Sequence, residues 1–319
     1  MKYATLGKTE IRVSRIGLGA NAVGGHNLYS NLDDNQGKRL VEEALDLGIN
    51  FIDTADSYGI GRSEELIGEV LAQDKSRREK IVLATKGGNE KLPGGLSRRN
   101  NKPQYLRAAL EASLRRLRTD YVDLYYIHYP DGETPFSESV GELVRMKEEG
   151  KIRAIGISNV TLEQLKEADR VGPIAALQMP YNMLERSIER DLLSYCAERR
   201  ISFVPYGPLA YGILGGKYAE DFRLSPGDWR NRLTLFQPDA FRQALRKVEA
   251  LKEIAEQKQT TISNLALAWL LTRQGVDTVI PGAKTPEQVA ENAKAADVLL
   301  SEEDLKRIEQ ILQNSFDSV

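Results

Sequence analysis

Eight short apolar runs alternate with eight amphipathic windows along the 319 residues. The runs are apolar on both faces, which is typical of parallel strands that helices cover on both sides. The predicted strands are Ile16–Gly19, Asn50–Asp53, Ile81–Lys86, Val122–His128, Ala154–Ser158, Ala175–Gln178, Ser202–Tyr206 and Thr278–Pro281. The predicted helices are Gln36–Leu47, Ser63–Ala72, Gln104–Leu117, Phe136–Glu149, Thr161–Ala168, Ile188–Glu198, Thr261–Thr272 and Pro286–Ala295. The alternation predicts an α/β fold, and eight units favour a closed (β/α)8 TIM barrel over a doubly wound sheet.

Several segments lie outside the eight units. Residues 3–13 are predicted to form an N-terminal β-hairpin that turns at Gly7-Lys8 and closes the barrel floor. Residues 211–240 form a long loop after the seventh strand, and loops of this length are usually functional. Two extra helices are predicted near residues 241–257 and 302–314. Because no linker, repeat or low-complexity tract interrupts the chain, we expect residues 1–319 to form a single domain.

Composition excludes several classes of protein. The formal charge of -2 gives no electrostatic footprint for nucleic acid. The N-terminus lacks the apolar stretch of a signal peptide, and no apolar run has the roughly 20 residues of a membrane span. Cys196 is the only cysteine and there are two histidines, so we expect no internal disulfide and no metal site. These features predict a cytoplasmic protein.

Four polar residues follow the ends of three successive predicted strands. Asp53 ends one strand and is followed by Tyr58, Lys86 ends the next, and His128 ends the third. A parallel barrel brings the carboxyl ends of its strands together at one mouth. The sequence therefore predicts that a carboxylate, a phenol, an amine and an imidazole meet there.

This combination suits the interconversion of a carbonyl and an alcohol. Tyr58 can give a proton to the developing alkoxide if Lys86 lowers its pKa, while Asp53 keeps Lys86 charged and oriented. His128 can donate a hydrogen bond to the carbonyl oxygen. Taken alone, each residue has a structural interpretation: a helix cap, a packing tyrosine, a surface lysine and a core histidine. Only their combination favours catalysis, and a hydride must then come from a cofactor.

Phosphate binding is predicted less sharply. Residues 280–292 read as a strand, a Gly turn and a helix start that carries Lys284, which fits a phosphate and an ordinary βα turn equally well. The pattern that begins Gly17-Leu-Gly19 is followed by a loop and not by a helix, so it does not indicate a dinucleotide fingerprint.

The four residues and two longer segments carry a resemblance to a known family. The segments run from Gly17 to Tyr29 (Gly-Leu-Gly-Ala-Asn-Ala-Val-Gly-Gly-His-Asn-Leu-Tyr) and from Tyr58 to Gly68 (Tyr-Gly-Ile-Gly-Arg-Ser-Glu-Glu-Leu-Ile-Gly). The chain resembles the aldo-keto reductases over nearly its whole length. Within them it is most similar to the bacterial branch that includes a reductase of the inositol-catabolism operon. The family tetrad of Asp, Tyr, Lys and His is complete here.

The resemblance implies an NADP(H) cofactor bound in extended form without a Rossmann fold. It places the nicotinamide carboxamide on Ser158, Asn159 and Gln178, and the nicotinamide ring on Tyr206. The other implied cofactor residues are Ala20, Asn21, Asp53, Pro208, Leu209, Gly212, Leu214, Lys217, Gly282, Lys284, Gln288, Glu291 and Asn292. Lys284 would meet the 2′-phosphate. Gln288 stands where several branches of the family have arginine, so the strength of the preference for NADP over NAD stays open.

The predicted function is that of an NADP(H)-dependent oxidoreductase acting on a small-molecule carbonyl or alcohol, and the resemblance suggests a monomer. An alternative is an NADP(H)-binding accessory module like the β-subunits of potassium channels, which have Asn at the position of His128. The stretch Gly87–Asn100 departs from relatives, so the substrate stays open between a sugar or inositol derivative and reactive aldehydes in general.

Overall fold

A computed structural model describes residues 1–29 and 31–314. The strands are β1 (Tyr3–Thr5), β2 (Arg12–Ser14), β3 (Leu18–Gly19), β4 (Phe51–Asp53), β5 (Val82–Gly87), β6 (Asn89–Lys91), β7 (Ser97–Arg99), β8 (Val122–Ile127), β9 (Ile152–Ser158), β10 (Ile174–Pro180) and β11 (Ser202–Tyr206). The α-helices are α1 (Asp34–Asp46), α2 (Arg62–Leu71), α3 (Lys75–Lys80), α4 (Pro103–Leu117), α5 (Phe136–Glu148), α6 (Leu162–Val171), α7 (Leu192–Arg199), α8 (Pro238–Gln257), α9 (Ile262–Leu271), α10 (Pro286–Ala293) and α11 (Glu302–Gln313).

Seven parallel strands pair in the order β3-β4-β5-β8-β9-β10-β11. Residues 275–282 occupy the gap between β11 and β3: Phe203 N–H donates to the Gly275 carbonyl, and Val279 pairs with Ile16. The predicted (β/α)8 barrel is therefore confirmed. The predicted eighth strand, Thr278–Pro281, is present only as isolated bridges, because Pro281 has no N–H to continue a ladder.

The predicted N-terminal hairpin closes the floor of the barrel. β1 and β2 pair antiparallel, and Leu6 and Val13 are fully buried in the barrel interior. Gly7 has a φ of +53°, and a Cβ there would lie 2.7 Å from the Ala175 carbonyl oxygen. The turn therefore needs glycine both for its backbone conformation and for its close approach to β10.

The outer layer follows the predicted helix signals. In α6, Thr161 and Gln164 form the expected capping box. In α10, Pro286 occupies the first turn behind the Thr285 cap. Gly48 and Gly150 both have positive φ after α1 and α5. These ends fix where each helix begins and stops against the barrel.

Three elements were not predicted as the structure has them. The charged helix α3 has no apolar periodicity, and Asp74 caps its N-terminus. Strands β6 and β7 form a hairpin through Gly94 and Gly95, both with a φ of +80°, in a stretch that lacks apolar alternation. Within residues 211–240, short 3-10 turns occur and α8 already begins at Pro238.

Candidate active site

Neighbouring strands position the four predicted catalytic residues. Asp53 is the last residue of β4, Lys86 lies near the end of β5, and His128 directly follows β8. These three strands are adjacent in the barrel. Tyr58 lies on a 3-10 turn that starts five residues after β4 ends. The structure thus brings all four side chains to one mouth.

Lys86 is fully buried and lies at the centre of this group. Its Nζ donates to Asp53 Oδ1 at 2.5 Å and to the Thr54 carbonyl at 2.7 Å, and it lies 3.5 Å from the Tyr58 hydroxyl. The second oxygen of Asp53 accepts a hydrogen bond of 2.9 Å from Gln178 Nε2. A buried ammonium needs such partners, since an unpaired charge in the interior is strongly destabilising.

The electrostatics of Tyr58 differ from the sequence prediction in one respect. Burial raises the pKa of Tyr58, and the nearby Lys86 ammonium lowers it only in part. Burial alone would lower the pKa of Lys86, but Asp53 and Tyr58 together outweigh this effect and raise that pKa. Lys86 therefore stays charged and Tyr58 stays a protonated phenol near neutral pH, with Lys86 reducing the cost of its ionisation.

His128 is held in a defined protonation state. Burial lowers the pKa of His128 well below its usual value, and the positive charges of Lys86 and Arg99 add to this. The Asn89 amide nitrogen lies 2.9 Å from His128 Nδ1. Because an amide N–H donates there, Nδ1 must accept and Nε2 must carry the proton. Sequence reasoning missed Asn89, whose only signal was a polar residue directly after a strand end.

The residues expected at the nicotinamide carboxamide form a hydrogen-bonded chain. The Tyr206 hydroxyl donates to Asn159 Oδ1 at 2.9 Å. Asn159 Nδ2 donates to Ser158 Oγ and to the His128 carbonyl, and Ser158 Oγ donates to the Gln178 carbonyl at 2.8 Å. Asn159 has a φ of +59°, an uncommon conformation that turns its side chain back on this chain of bonds. The network links β8, β9, β10 and β11 beside Asp53.

The residues expected at the adenosine end lie beside Asn21. A Cβ on Gly282 would lie 2.9 Å from Asn21 Oδ1, so the Asn21 side chain packs directly against this glycine. The exposed Lys284 places its Nζ 4.8 Å from the centre of the Tyr29 ring. Gln288 Oε1 accepts the backbone N–H of Lys284 at 2.7 Å.

Three further residues of this end have mixed roles. Ala20 is fully buried beside Asn21. Glu291 accepts a hydrogen bond from Asn264 Nδ2 at 2.9 Å, and Asn292 donates to the Gly282 carbonyl at 3.4 Å. Asn292 therefore ties α10 to the turn that carries Gly282, whereas Glu291 ties α10 to the start of α9.

The segment expected at the pyrophosphate follows β11. Its backbone is unusual, since Ala210, Tyr211 and Gly212 all have positive φ. Arg230 holds it from the long loop: its Nη1 donates to the Tyr211 carbonyl, and its guanidinium pairs with Asp228 at 2.7 Å. Of the implied residues, Pro208 and Leu214 are buried, Leu209 and Gly212 are half-buried, and Lys217 is exposed.

Aromatic side chains lie around the mouth. The Tyr129 ring stacks on His128 with centroids 4.8 Å apart, and Tyr211 meets Trp229 edge to face at 5.4 Å. The Tyr58 ring lies 6.2 Å from His128 at 81°. The exposed His26 places its Nε2 2.8 Å from Asp34 Oδ1.

A cavity of about 720 Å³ lies at the opposite end of the barrel. It is lined by floor residues such as Lys8, Arg12 and Ala175, and by none of the predicted site residues. Conserved chemistry in such barrels sits at the carboxyl ends of the strands, so the mouth remains the candidate site. Within residues 1–29 and 31–314, no group of three His, Cys, Asp or Glu residues could hold a metal ion. No helix in the same ranges has both the length and the apolar character that crossing a membrane requires.

Comparison with known proteins identifies the family. The model of the Aldo/keto reductase family matches residues 15–313. The chain belongs to the aldo-keto reductase family. It is 38% identical to the aldo-keto reductase yakc [NADP(+)] of Schizosaccharomyces pombe over 93% of this chain and 88% of that protein. It is 36% identical to the NADH-specific methylglyoxal reductase of Escherichia coli over 95% of this chain and 96% of that protein.

A solved structure and one further relative extend this picture. The glycerol dehydrogenase AKR11B4 from Gluconobacter oxydans superposes with a TM-score of 0.91 and 34% identity, covering 99% of this chain and 98% of that one. A probable voltage-gated potassium channel β-subunit of Arabidopsis thaliana is 36% identical over 98% of this chain and 97% of its own length. The chain is thus an oxidoreductase-family barrel, and the narrower resemblance to the inositol-operon branch stays a prediction.

Proposed function

We propose that the chain is an NADP(H)-dependent oxidoreductase that interconverts an aldehyde or ketone with its alcohol. One observation carries the proposal: the Tyr58 hydroxyl lies 3.5 Å from a fully buried Lys86 that is paired with Asp53. A phenol beside a buried ammonium is suited to proton transfer at a reacting oxygen. We further propose that residues 1–319 act as one monomeric domain in the cytoplasm, on a small-molecule substrate.

Each side chain of the site has a separate role at the substrate carbonyl. His128 donates from Nε2 to the substrate oxygen and fixes its direction, because Nδ1 is engaged by Asn89. Tyr58 then gives its proton to the oxygen as negative charge develops. Lys86, held by Asp53, stabilises the phenolate left behind. In the oxidation direction the same phenolate takes the proton from the alcohol. A bound nicotinamide supplies or accepts the hydride at carbon.

The residues present fit a nicotinamide dinucleotide. Ser158 and Asn159 offer amide and hydroxyl groups beside Asp53, and the Tyr206 ring lies at the end of the neighbouring strand. At the other end, Lys284 is an exposed cation that can meet a 2′-phosphate, whereas the Gln288 oxygen is already used by the Lys284 backbone. Lys284 supports the proposed use of NADP(H), and the neutral Gln288 predicts a preference weaker than two cations would give.

Substitution of the phenol tests the proposal. Tyr58→Phe should lower kcat for an aromatic aldehyde by about 100-fold or more, since a positioned proton donor contributes that much. The Kd for NADPH, measured by quenching of the cofactor's fluorescence, should stay within about twofold of the wild-type value. The reason is that the Tyr58 hydroxyl lies at the reacting carbonyl. Tyr121→Phe removes a hydroxyl from a tyrosine that stacks under Arg78 at the start of β8 and is the control. Wild-type kcat in Tyr58→Phe would rule the assignment out.

The accessory-module alternative makes a different prediction. Such a module binds NADPH without oxidising it when aldehydes are supplied. His128 argues against it here, because the imidazole is buried, neutral and oriented towards the Tyr58 ring. A panel of aldehydes, ketones and sugars with NADPH and NADH separates the two, since binding without any turnover would favour the module.

A further inference from the structure

The hairpin β6–β7 places a cation at the mouth that the proposed chemistry does not use. The Arg99 guanidinium lies 4.6 Å above the Tyr129 ring, and that ring stacks on His128 at 4.8 Å. The three groups form a layer of guanidinium, phenol and imidazole. One aromatic ring, that of Tyr129, therefore separates the Arg99 guanidinium from His128, the proposed hydrogen-bond donor to the substrate oxygen.

Three of the cations near the mouth have an anionic partner in the described residues, and Arg99 does not. Lys86 pairs with Asp53, Arg230 with Asp228, and Arg98 with Glu90. In the described part of the chain, the Arg99 side chain makes no ion pair or hydrogen bond and is exposed. Its positive charge still reaches the site, because it lowers the pKa of His128 together with Lys86.

Two carboxylates that contact residues within two positions of Arg99 have other partners: Glu90 pairs with Arg98, and Asp131 accepts the backbone N–H of Asn101. The Tyr129 hydroxyl lies close enough to Tyr58, Tyr206 and Tyr211 to influence the pKa of each. The Glu185 carboxylate lies on the side of the mouth formed by Tyr206 and Tyr211, and it accepts a hydrogen bond from Asn182. The mouth is thus an aromatic slot with an unpaired guanidinium at one edge.

We propose that Arg99 selects carbonyl substrates that carry a negatively charged group, a carboxylate or a phosphate. A guanidinium offers a planar pair of donors that matches either anion, and the Tyr129 ring holds it in place over the slot. A substrate whose carbonyl lies between Tyr58 and His128 would direct its far end past Tyr129 towards Arg99. This inference rests on the proposed oxidoreductase function and names the substrate class of that same site.

A matched pair of aldehydes isolates the charge. Para-carboxybenzaldehyde and para-carbamoylbenzaldehyde have almost the same shape but differ by one negative charge. Arg99→Gln should lower kcat/KM for the carboxylate by about tenfold, as expected for a lost charge-assisted contact, and leave the amide nearly unchanged. Glyceraldehyde 3-phosphate against glyceraldehyde gives the same comparison for phosphate. The anion, carboxylate or phosphate, whose substrate loses more kcat/KM in Arg99→Gln is the one that the site prefers.

Arg98→Gln is the control, because Arg98 is the next residue of the hairpin and is neutralised by Glu90. Arg98→Gln should change kcat/KM for neither aldehyde. Added salt should weaken the preference of the wild type for the charged aldehyde. If Arg99→Gln slows both aldehydes equally, Arg99 only supports the hairpin against Tyr129. That result, or an equal effect in Arg98→Gln, overturns the proposal.

Binding gives a second measurement that does not need turnover. Titration calorimetry of the alcohols para-hydroxymethylbenzoate and para-hydroxymethylbenzamide into the protein loaded with NADPH, a combination that cannot react, should show weaker binding of the benzoate, and unchanged binding of the amide, in Arg99→Gln. Equal binding of the two compounds by the wild type overturns the inference. Turnover of the neutral aldehyde without any charge preference leaves the oxidoreductase proposal standing, whereas failure to oxidise NADPH with every aldehyde contradicts that proposal itself.

Discussion

The Asn89 amide nitrogen lies 2.9 Å from Nδ1 of His128 and so determines which ring nitrogen carries the proton. Asn89→Asp would replace the donor with a carboxylate, which draws a proton to Nδ1 and raises the pKa of His128. We expect kcat to fall by about tenfold, because the Nε2 hydrogen bond to the substrate is weakened.

Nitrogen NMR of the imidazole checks this directly. The chain has only two histidines, so in a His26→Gln background every imidazole signal comes from His128. The Nδ1 resonance should change from an acceptor to a protonated position in Asn89→Asp. An unchanged tautomer with the same loss of activity would mean that Asn89 acts on the hairpin and not on the ring.

The buried pair of Lys86 and Asp53 should be costly to break. Asp53→Asn leaves the Lys86 ammonium without its carboxylate, and Lys86→Met leaves the carboxylate with Gln178 as its remaining side-chain donor. Each should lower the free energy of unfolding by about 3–5 kcal/mol. The double variant should recover part of that loss yet stay inactive, since no ammonium remains beside Tyr58. Denaturant unfolding measures all three, and additive losses would contradict the pairing.

Asp56 predicts a pH-dependent loss of stability. Its Oδ1 is buried without a hydrogen-bond partner, and burial together with the Glu64 carboxylate raises the pKa of Asp56 from 3.8 to about 8. The folded chain therefore holds a proton that the unfolded chain has released, so the contribution of Asp56 to stability is present below pH 3.8 and is lost as the pH rises towards 8.

Asp56→Asn should remove this dependence. At pH 4 the variant and the wild type should unfold at similar temperatures. At pH 8 the variant should be more stable by roughly 5 kcal/mol, the free energy that corresponds to a pKa raised from 3.8 to about 8, because it carries no carboxylate to ionise in the interior. Thermal unfolding across this range tests it, and a constant difference at all pH values would contradict the assigned pKa.

Lys284 should control the choice of cofactor. Lys284→Ala should raise the Kd for NADPH by about tenfold through loss of the contact with the 2′-phosphate, and leave the Kd for NADH nearly unchanged. Lys294→Ala is the matched control, because Lys294 pairs with Glu291 at 2.8 Å. An equal increase in the Kd for NADPH and in the Kd for NADH would mean that Lys284 contacts a part that both cofactors share and not the 2′-phosphate.

The order of strands and helices could be predicted because each barrel unit has its own local signal. Strands such as Phe51–Asp53 and Val122–Ile127 are mostly apolar and are buried along their whole length, and caps such as Thr161 mark helix starts. The hairpin β6–β7 gave no such signal, because its glycines and exposed polar residues do not alternate. Its effect on His128 through Asn89 was therefore not predictable.

The sequence by itself determined the barrel and the chemical types at the strand ends, because hydrophobic periodicity and strand-terminal position are local properties. Only the tertiary structure decided that burial outweighs Lys86 in setting the pKa of Tyr58. It also decided that Asn89 orients His128 and that Arg99 stays unpaired above Tyr129. These outcomes depend on desolvation and on distances between strands far apart in the chain, which no local pattern encodes.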